Sequence, residues 1–201
     1  MNSESIPEYK IILASNSSIR QKILEDSGIP FEVVPSEVEE EELKQSLSGN
    51  NFREYCLTLA KAKALDVSNK KKNAYVIGSD QICSYGEEIF SKPLTKENCF
   101  KTLSKLSGNT HYQNWGISIC KNGKEIWSHY AQAALTMKSL SDTEIRDYID
   151  KDEPFMACGA YRFESLGKNL FLTTKGDETT IQGLTLNPII NFLTSKKVIN
   201  L

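Results

Sequence analysis

Asp80 stands in the segment Tyr75-Val76-Ile77-Gly78-Ser79-Asp80-Gln81-Ile82-Cys83, which is otherwise apolar enough to be a buried strand. An ionised carboxylate there is costly unless it is paired or does chemistry. Lys92 and Pro93 follow, beyond a hairpin-like Tyr85-Gly86-Glu87. An acid and a cation on neighbouring strand ends can face one cleft and act together. They can equally form a plain Asp80–Lys92 ion pair at a strand terminus.

A second candidate is the loop Ala14-Ser15-Asn16-Ser17-Ser18-Ile19-Arg20. It joins an apolar strand, Lys10 to Ala14, to a helix whose apolar positions Ile19, Ile23 and Leu24 recur at helical spacing before Gly28 stops it. Backbone N–H groups and the helix dipole at such a junction favour an anion, and serine hydroxyls with Arg20 can complete a phosphate cradle. The bland alternative is an N-cap at Ser17 with a surface arginine. The glycine-rich P-loop pattern is absent.

Other chemistries have little to stand on. Cys56, Cys83, Cys99, Cys120 and Cys158 are odd in number and widely spaced, with no C-x-x-C pair, so they read as small core residues. With only His111 and His129, a histidine-rich metal site is excluded. A Ser-His-Asp triad would rest on one of these two, in strand-like segments without a G-x-S-x-G companion.

The elements that must position these groups alternate in type. After the first strand and helix, Phe31 to Pro35 reads as a strand, and the acidic run Glu37, Glu39, Glu40, Glu41 and Glu42 as a solvated loop or helix start. Tyr55, Leu59, Ala62 and Leu65 mark a helix over Phe52 to Asp66 with Lys61 and Lys63 on its surface, followed by a basic turn from Ser68 to Asn73. The Asp80 strand comes next. Thr95 can cap a helix to Leu106, and two strands, His111 to Lys121 and Glu125 to Met137, flank the hairpin signal Asn122-Gly123. Ser141-Asp142-Thr143-Glu144 resembles a capping box for a helix to Asp150. A loop rich in glycine and aromatics, Gly159 to Gly167, leads to a strand over Leu170 to Thr174 and a helix over Pro188 to Leu193. The mixture predicts an α/β or α+β fold with a mixed sheet rather than a parallel Rossmann sheet.

The chain of 201 residues is long enough for one domain, 1–201, with a substantial core. A formal net charge of -2, with 25% charged residues, gives no global basic field for nucleic acid or anionic membrane. The polar start, Met1 to Lys10, lacks the apolar region of a targeting segment, and no stretch is apolar enough for a membrane span, so a cytoplasmic protein is expected.

In order, ILASNSSIRQKILEDSGIPFEVVPSEVEEEE, LAKAKA, VIGSDQICSYGEEIFSKP, LSGNTH, CGAYRFESLG and IQGLTL resemble the signature blocks of the Maf (septum-formation-inhibitor-like) nucleoside triphosphate pyrophosphatases. The resemblance covers nearly the whole chain and is closest to the branch acting on 7-methyl-GTP. It implies a Maf/ITPase-like α/β fold: an elongated mixed sheet flanked by helices, with two lobes and a central cleft. It also implies hydrolysis of a modified or non-standard nucleoside triphosphate to the monophosphate and pyrophosphate with Mg2+ or Mn2+. A house-cleaning role or an effect on septum formation, and a possible homodimer, belong to the same expectation. By motif, Asp80 matches the catalytic acid, as base or metal ligand, and Glu40 the metal-associated carboxylate. Ser15, Arg20, Lys63 and Lys92 match the phosphate-holding residues. Such a site needs no nucleophilic serine or cysteine, since carboxylates, a hard cation and several basic groups suffice for phosphoanhydride cleavage.

The chain departs from that pattern in its first loop, where Ser18 and Ile19 replace the usual proline and first arginine, so that Ile19 faces the nucleobase or enters the core. Gln81 and Glu164 are the other positions linked in the family to substrate choice, and Ser165 stands where glycine is usual. A carboxylate such as Glu164 can accept from the N1–H and exocyclic amine of guanine. It can also be a surface carboxylate beside Arg162. The alternative to an enzyme is a nucleotide-binding regulator of cell division that kept the cleft with weak or no turnover.

Overall fold

The computed structural model describes residues 10–47 and 51–200; the polar start that carries the targeting expectation lies outside them, Lys10 excepted. Strand β1 (Lys10–Leu13) leads to helix α1 (Ser18–Asp26), β2 (Glu32–Val33), α2 (Glu40–Ser46), α3 (Phe52–Lys70), β3 (Ala74–Tyr85) and β4 (Glu88–Phe90). Then come α4 (Lys96–Leu106), β5 (Thr110–Lys121), β6 (Lys124–Met137), α5 (Asp142–Asp152), a 3₁₀ turn (Leu166–Leu170), β7 (Phe171–Lys175), α6 (Glu178–Gln182) and α7 (Leu186–Ser195). The strands form one mixed sheet of order β2-β1-β3-β5-β6-β7, with β4 paired to β3 off this path. β1 runs parallel to β2 and β3, whereas β3–β4 and β6–β7 are antiparallel. The predicted α/β fold with a mixed sheet is therefore what forms. Among the described residues no helix is long and apolar enough to cross a membrane.

The chain divides into two compact units. The first holds the residues up to Asp80, 116–130 and those from Gly183 on; the second holds 81–115 and 131–182.

In the first unit the sheet is covered on both faces, which is why its strands read as continuous apolar runs. Ile11, Leu13, Tyr75, Ile77, Ile117 and Ile119 pack with Ile23 and Leu24 of α1 and Ile189, Phe192 and Leu193 of α7. The alternate residues Ile12, Ala74, Val76 and Cys120 pack with Ala64 and Val67 of α3. Gly78 shares that second face by the two-residue period. A Cβ on Gly78 would lie 2.2 Å from the Ala60 carbonyl oxygen and 2.7 Å from the Ala64 nitrogen. On Gly116 of β5 it would lie 2.2 Å from the Cys56 carbonyl oxygen. Cys56, Ala60 and Ala64, four residues apart on α3, thus form a small-residue stripe seated directly on the glycine backbone of two strands. Gly78→Ala must push α3 off the sheet, and we expect a loss of about 1–3 kcal/mol with a lower urea midpoint; an unchanged midpoint would remove the contact's importance.

The second unit has its own core, in which Leu103 and Leu106 of α4, Ile145 and Ile149 of α5, Leu135 and Met137 of β6, Tyr161 and Phe171 pack together.

Several local expectations are met. Thr95 accepts from the Asn98 N–H, Ser141 and Glu144 form a capping box, and Asn122 and Gly123 take the two positive φ values, 52° and 75°, of a type I′ hairpin turn. Others need correction. Ser17 occupies the N-cap position of α1 but its hydroxyl makes no cap bond. The second strand shrinks to Glu32–Val33. Of the basic turn expected over Ser68 to Asn73, residues 71–73 do form a turn, but 68–70 are the last turn of α3, because Ser68 is buried and accepts from the Gly123 N–H at 3.0 Å, while Lys70 pairs with Asp66 and Glu37.

Candidate active site

The seating of α3 on Gly78 decides what Asp80 meets. Asp80 lies two residues further along the same face of β3, and Lys63 stands beside Ala64 at the edge of the small-residue stripe. Lys63 Nζ donates to Asp80 Oδ1 at 2.7 Å and sits 3.0 Å from Glu40 Oε1. The expected Asp80–Lys92 pair is thus replaced by Asp80–Lys63. Lys63, expected on the helix surface, is 7% exposed. Lys61 keeps the surface position and pairs with Glu125. Glu40 comes from the first turn of α2, half-buried, whereas Glu37, Glu39 and Glu42 are exposed as a solvated run should be.

Burial pushes the Asp80 carboxyl above its ordinary value, with Glu40 acting in the same direction; the Lys63 charge and hydrogen bond and the Arg20 charge oppose it. The direction is set by desolvation, since Asp80 is 7% exposed and shares its one bonded cation with a second carboxylate.

The first loop supplies a fixed guanidinium. Arg20 Nη1 donates to the Ser79 carbonyl at 2.8 Å and to Ser15 Oγ at 3.3 Å, and Arg20 Nε donates to the Gly183 carbonyl at 3.2 Å. Ser15 Oγ also accepts the Ser17 N–H, closing the turn into α1. β1 pairs with β3 only as far as Ile77, so Arg20 takes up the next carbonyl on that edge, Ser79. Ser15, Arg20, Lys63, Glu40 and Asp80 are therefore gathered in the first unit. Ile19 belongs elsewhere: it packs on the core beside α7, and a Cβ on Gly183 would lie 3.0 Å from its Cγ2.

The remaining candidates lie in the second unit. Lys92 is exposed in the loop after β4. By strand alternation Gln81 faces the opposite side of β3 from Asp80. Gln81 Nε2 donates to Gln113 Oε1 at 2.8 Å; Gln113 Nε2 donates to Tyr161 Oη at 2.6 Å and to the Cys158 carbonyl at 3.4 Å; and Tyr161 Oη is 2.9 Å from His111 Nε2. Glu164 is at the surface with Arg162 Nε 3.4 Å away. Its loop is anchored by Asp152, which is 4% exposed and accepts from Tyr148 Oη at 2.7 Å and Ser165 Oγ at 2.6 Å. Tyr148 Oη in turn accepts the Arg162 N–H at 3.0 Å.

Gln113 and Tyr161 were not accessible to motif reasoning, because each is defined by bonds across the fold. Gly78 left a signal in the sequence: a glycine inside an apolar strand marks a close backbone approach.

His111 is fully buried, and burial lowers its pKa from 6.5 to about 4. A histidine depressed in the fold is neutral there, so the unfolded chain binds more protons between these values and stability falls as pH drops through the window. His111→Gln should remove roughly 3 kcal/mol of acid sensitivity between pH 7 and 4, read as the difference between wild-type and variant urea stabilities. Parallel pH curves would contradict the buried neutral imidazole.

The family model described as Maf-like protein matches residues 10–196. The chain is 40% identical to a nucleoside triphosphate pyrophosphatase of Legionella pneumophila (strain Corby), over 99% of this chain and 100% of the relative. It is 38% identical to a 7-methyl-GTP pyrophosphatase of Brucella abortus biovar 1 (strain 9-941), over 95% of this chain and 98% of the relative. Its fold is similar to that of the Staphylococcus aureus Ham1 protein, with a TM-score of 0.50 at 16% identity over 93% of this chain and 99% of the other. A match over residues 10–196 settles the kinship: the chain belongs to the Maf-like protein family.

Proposed function

We propose that the chain is a nucleoside triphosphate pyrophosphatase that acts with a divalent cation on a guanine-type nucleotide, 7-methyl-GTP being the first candidate. The observation that carries this reading is the buried Asp80, raised by its surroundings and held by an ammonium that it shares with Glu40. A carboxylate of raised pKa is a better proton acceptor at neutral pH. Water attacks the α-phosphorus and gives its proton to Asp80 as the bond to the β-phosphate oxygen breaks and pyrophosphate leaves. Arg20, fixed by two backbone carbonyls and Ser15, offers a guanidinium to the phosphates without having to be ordered at the moment of reaction. Lys63 is a further cation of this cluster.

Asp80 and Glu40 bracket one cation-sized position, now filled by Lys63 Nζ. Among the described residues no group of three His, Cys, Asp or Glu could hold a metal by itself. This donor set fits Mg2+ shared with substrate, since that ion uses one or two carboxylates together with phosphate oxygens and water. When bound, the cation would neutralise charge on the phosphoryl oxygens.

For substrate choice, support comes from the relative named a 7-methyl-GTP pyrophosphatase and from Glu164, an acceptor suited to the adjacent N1–H and N2–H groups of guanine. The test is pyrophosphate release from 7-methyl-GTP, GTP, ITP, dTTP, UTP and CTP with Mg2+ or Mn2+, repeated with EDTA. Release that is fastest for 7-methyl-GTP and stops with EDTA is the expected result. Binding without release on every nucleotide would overturn the enzyme, and undiminished release in EDTA would overturn the metal.

A further inference from the structure

The buried amide chain behind Gln81 fixes a polarity that the sequence does not carry. The Cys158 carbonyl can only accept, so the Gln113 atom facing it at 3.4 Å is the amino nitrogen. Gln113 Oε1 is then the atom turned to Gln81, and an acceptor at 2.8 Å requires Gln81 to present its own amino group inward. Tyr161 Oη takes the second Gln113 N–H and lies 2.9 Å from His111 Nε2, which holds the far end of the chain. Gln113, Tyr161 and His111 are 1%, 4% and 0% exposed, so water does not compete for these bonds. Gln81 is only partly buried, and its Oε1 bonds to no other described residue.

We infer that Gln113 is a positioning residue which, locked by the Cys158 carbonyl and Tyr161, holds the Gln81 amide with its carbonyl oxygen toward the nucleobase. This deepens the proposed function and rests on the family resemblance, which links Gln81 to substrate choice and so sets it at the base. Taken with Glu164, which the proposed function sets at the guanine edge, these positions offer two acceptors and no donor. A guanine edge, with N1–H beside the N2 amine, answers both. Uracil, whose single N3–H is flanked by two carbonyls, leaves one acceptor facing an acceptor. Selectivity then depends on a bond made by a residue that never touches substrate, because an amide free to rotate would offer its amino group to uracil.

The experiment compares kcat/KM for GTP and UTP in wild type, Gln81→Met, Gln113→Met and Tyr161→Phe, with the side-chain amide signals of Gln81 followed by NMR. Gln113→Met should lower the GTP-to-UTP ratio by about tenfold, with most of the change in KM, as should Gln81→Met. Tyr161→Phe loosens the same cluster but leaves the Cys158 bond that sets the polarity, so it should hold the ratio to within about twofold. In the wild-type chain the Gln81 Nε2 protons should be protected from exchange, and in Gln113→Met unprotected. Rapid exchange of these protons in wild type overturns the inference whatever the variants do, including a variant that does not fold. A ratio lost in Gln81→Met but kept in Gln113→Met overturns the positioning role alone, and equal loss in Tyr161→Phe and Gln113→Met reduces it to general loosening. If Gln81→Met itself leaves the ratio intact, the placement of Gln81 at the base has failed and this inference falls with it.

Discussion

Asp80→Asn is expected to lower the rate of pyrophosphate release by about two to four orders of magnitude while the nucleotide still binds. The amide keeps the volume and one acceptor for Lys63 but cannot take a proton from water or carry the charge a cation needs. Stability should move the other way. A carboxyl raised in the fold favours its protonated form, so between the ordinary value and the raised one the native state holds more protons and stability falls as pH rises. At neutral pH the ionised Asp80 is therefore a burden, and the neutral amide, with Glu40 still 3.0 Å from Lys63, relieves it. An equal or higher melting temperature with lost turnover is the combined signature. Turnover near wild type would remove Asp80 from the chemistry, and a large drop in melting temperature would return it to a structural ion pair. The wild-type acid limb of kcat/KM tests the same point: it should lie above the ordinary carboxylate range and vanish with the variant.

Asp80 was legible as a candidate because its chemistry contradicts its neighbours, and that contradiction survives folding: it is buried and bonded to the Lys63 ammonium. Its partner was not legible. Lys92 is close in sequence, but Lys63 wins because Cys56, Ala60 and Ala64 let α3 settle onto Gly78 and Gly116, a fit of volumes between segments that no local pattern reveals. Where one segment contains its own cause, as in the Asn122-Gly123 turn or the Ser141 capping box, the sequence reading holds. Where the cause lies across the fold it fails. Ser68 continues α3 because Gly123 needs its hydroxyl, and Ile19 turns into the core because Gly183 leaves room for it. The second unit repeats the lesson, since Gln81 is conspicuous in the sequence but the direction of its amide is set by Cys158 and Gln113.

Lys63→Met carries the largest expected cost to the fold. The thioether side chain fills most of the space of the lysine stem, so the loss isolates the ammonium. Without it, Asp80 remains buried with no cation bonded to it, and Glu40 stays near as a like charge. Removing one partner of a buried pair typically costs about 3–5 kcal/mol, and for a chain of this size that is a fall in melting temperature of roughly 10 °C. The loss should depend on pH in a definite direction. Lys63 is what most opposes the rise of the Asp80 pKa, so its removal raises that pKa further and lets the carboxyl protonate at milder acidity. Lowering the pH should therefore bring the variant back toward wild type, and Lys63→Met/Asp80→Asn should recover most of the stability at neutral pH without recovering turnover. Melting curves of the three variants from pH 8 to pH 5 would decide it. A pH-independent deficit, or a double variant no more stable than Lys63→Met, would mean that the lysine acts through packing alone and that the charge between Glu40 and Asp80 is not what holds this part of the sheet and α3 together.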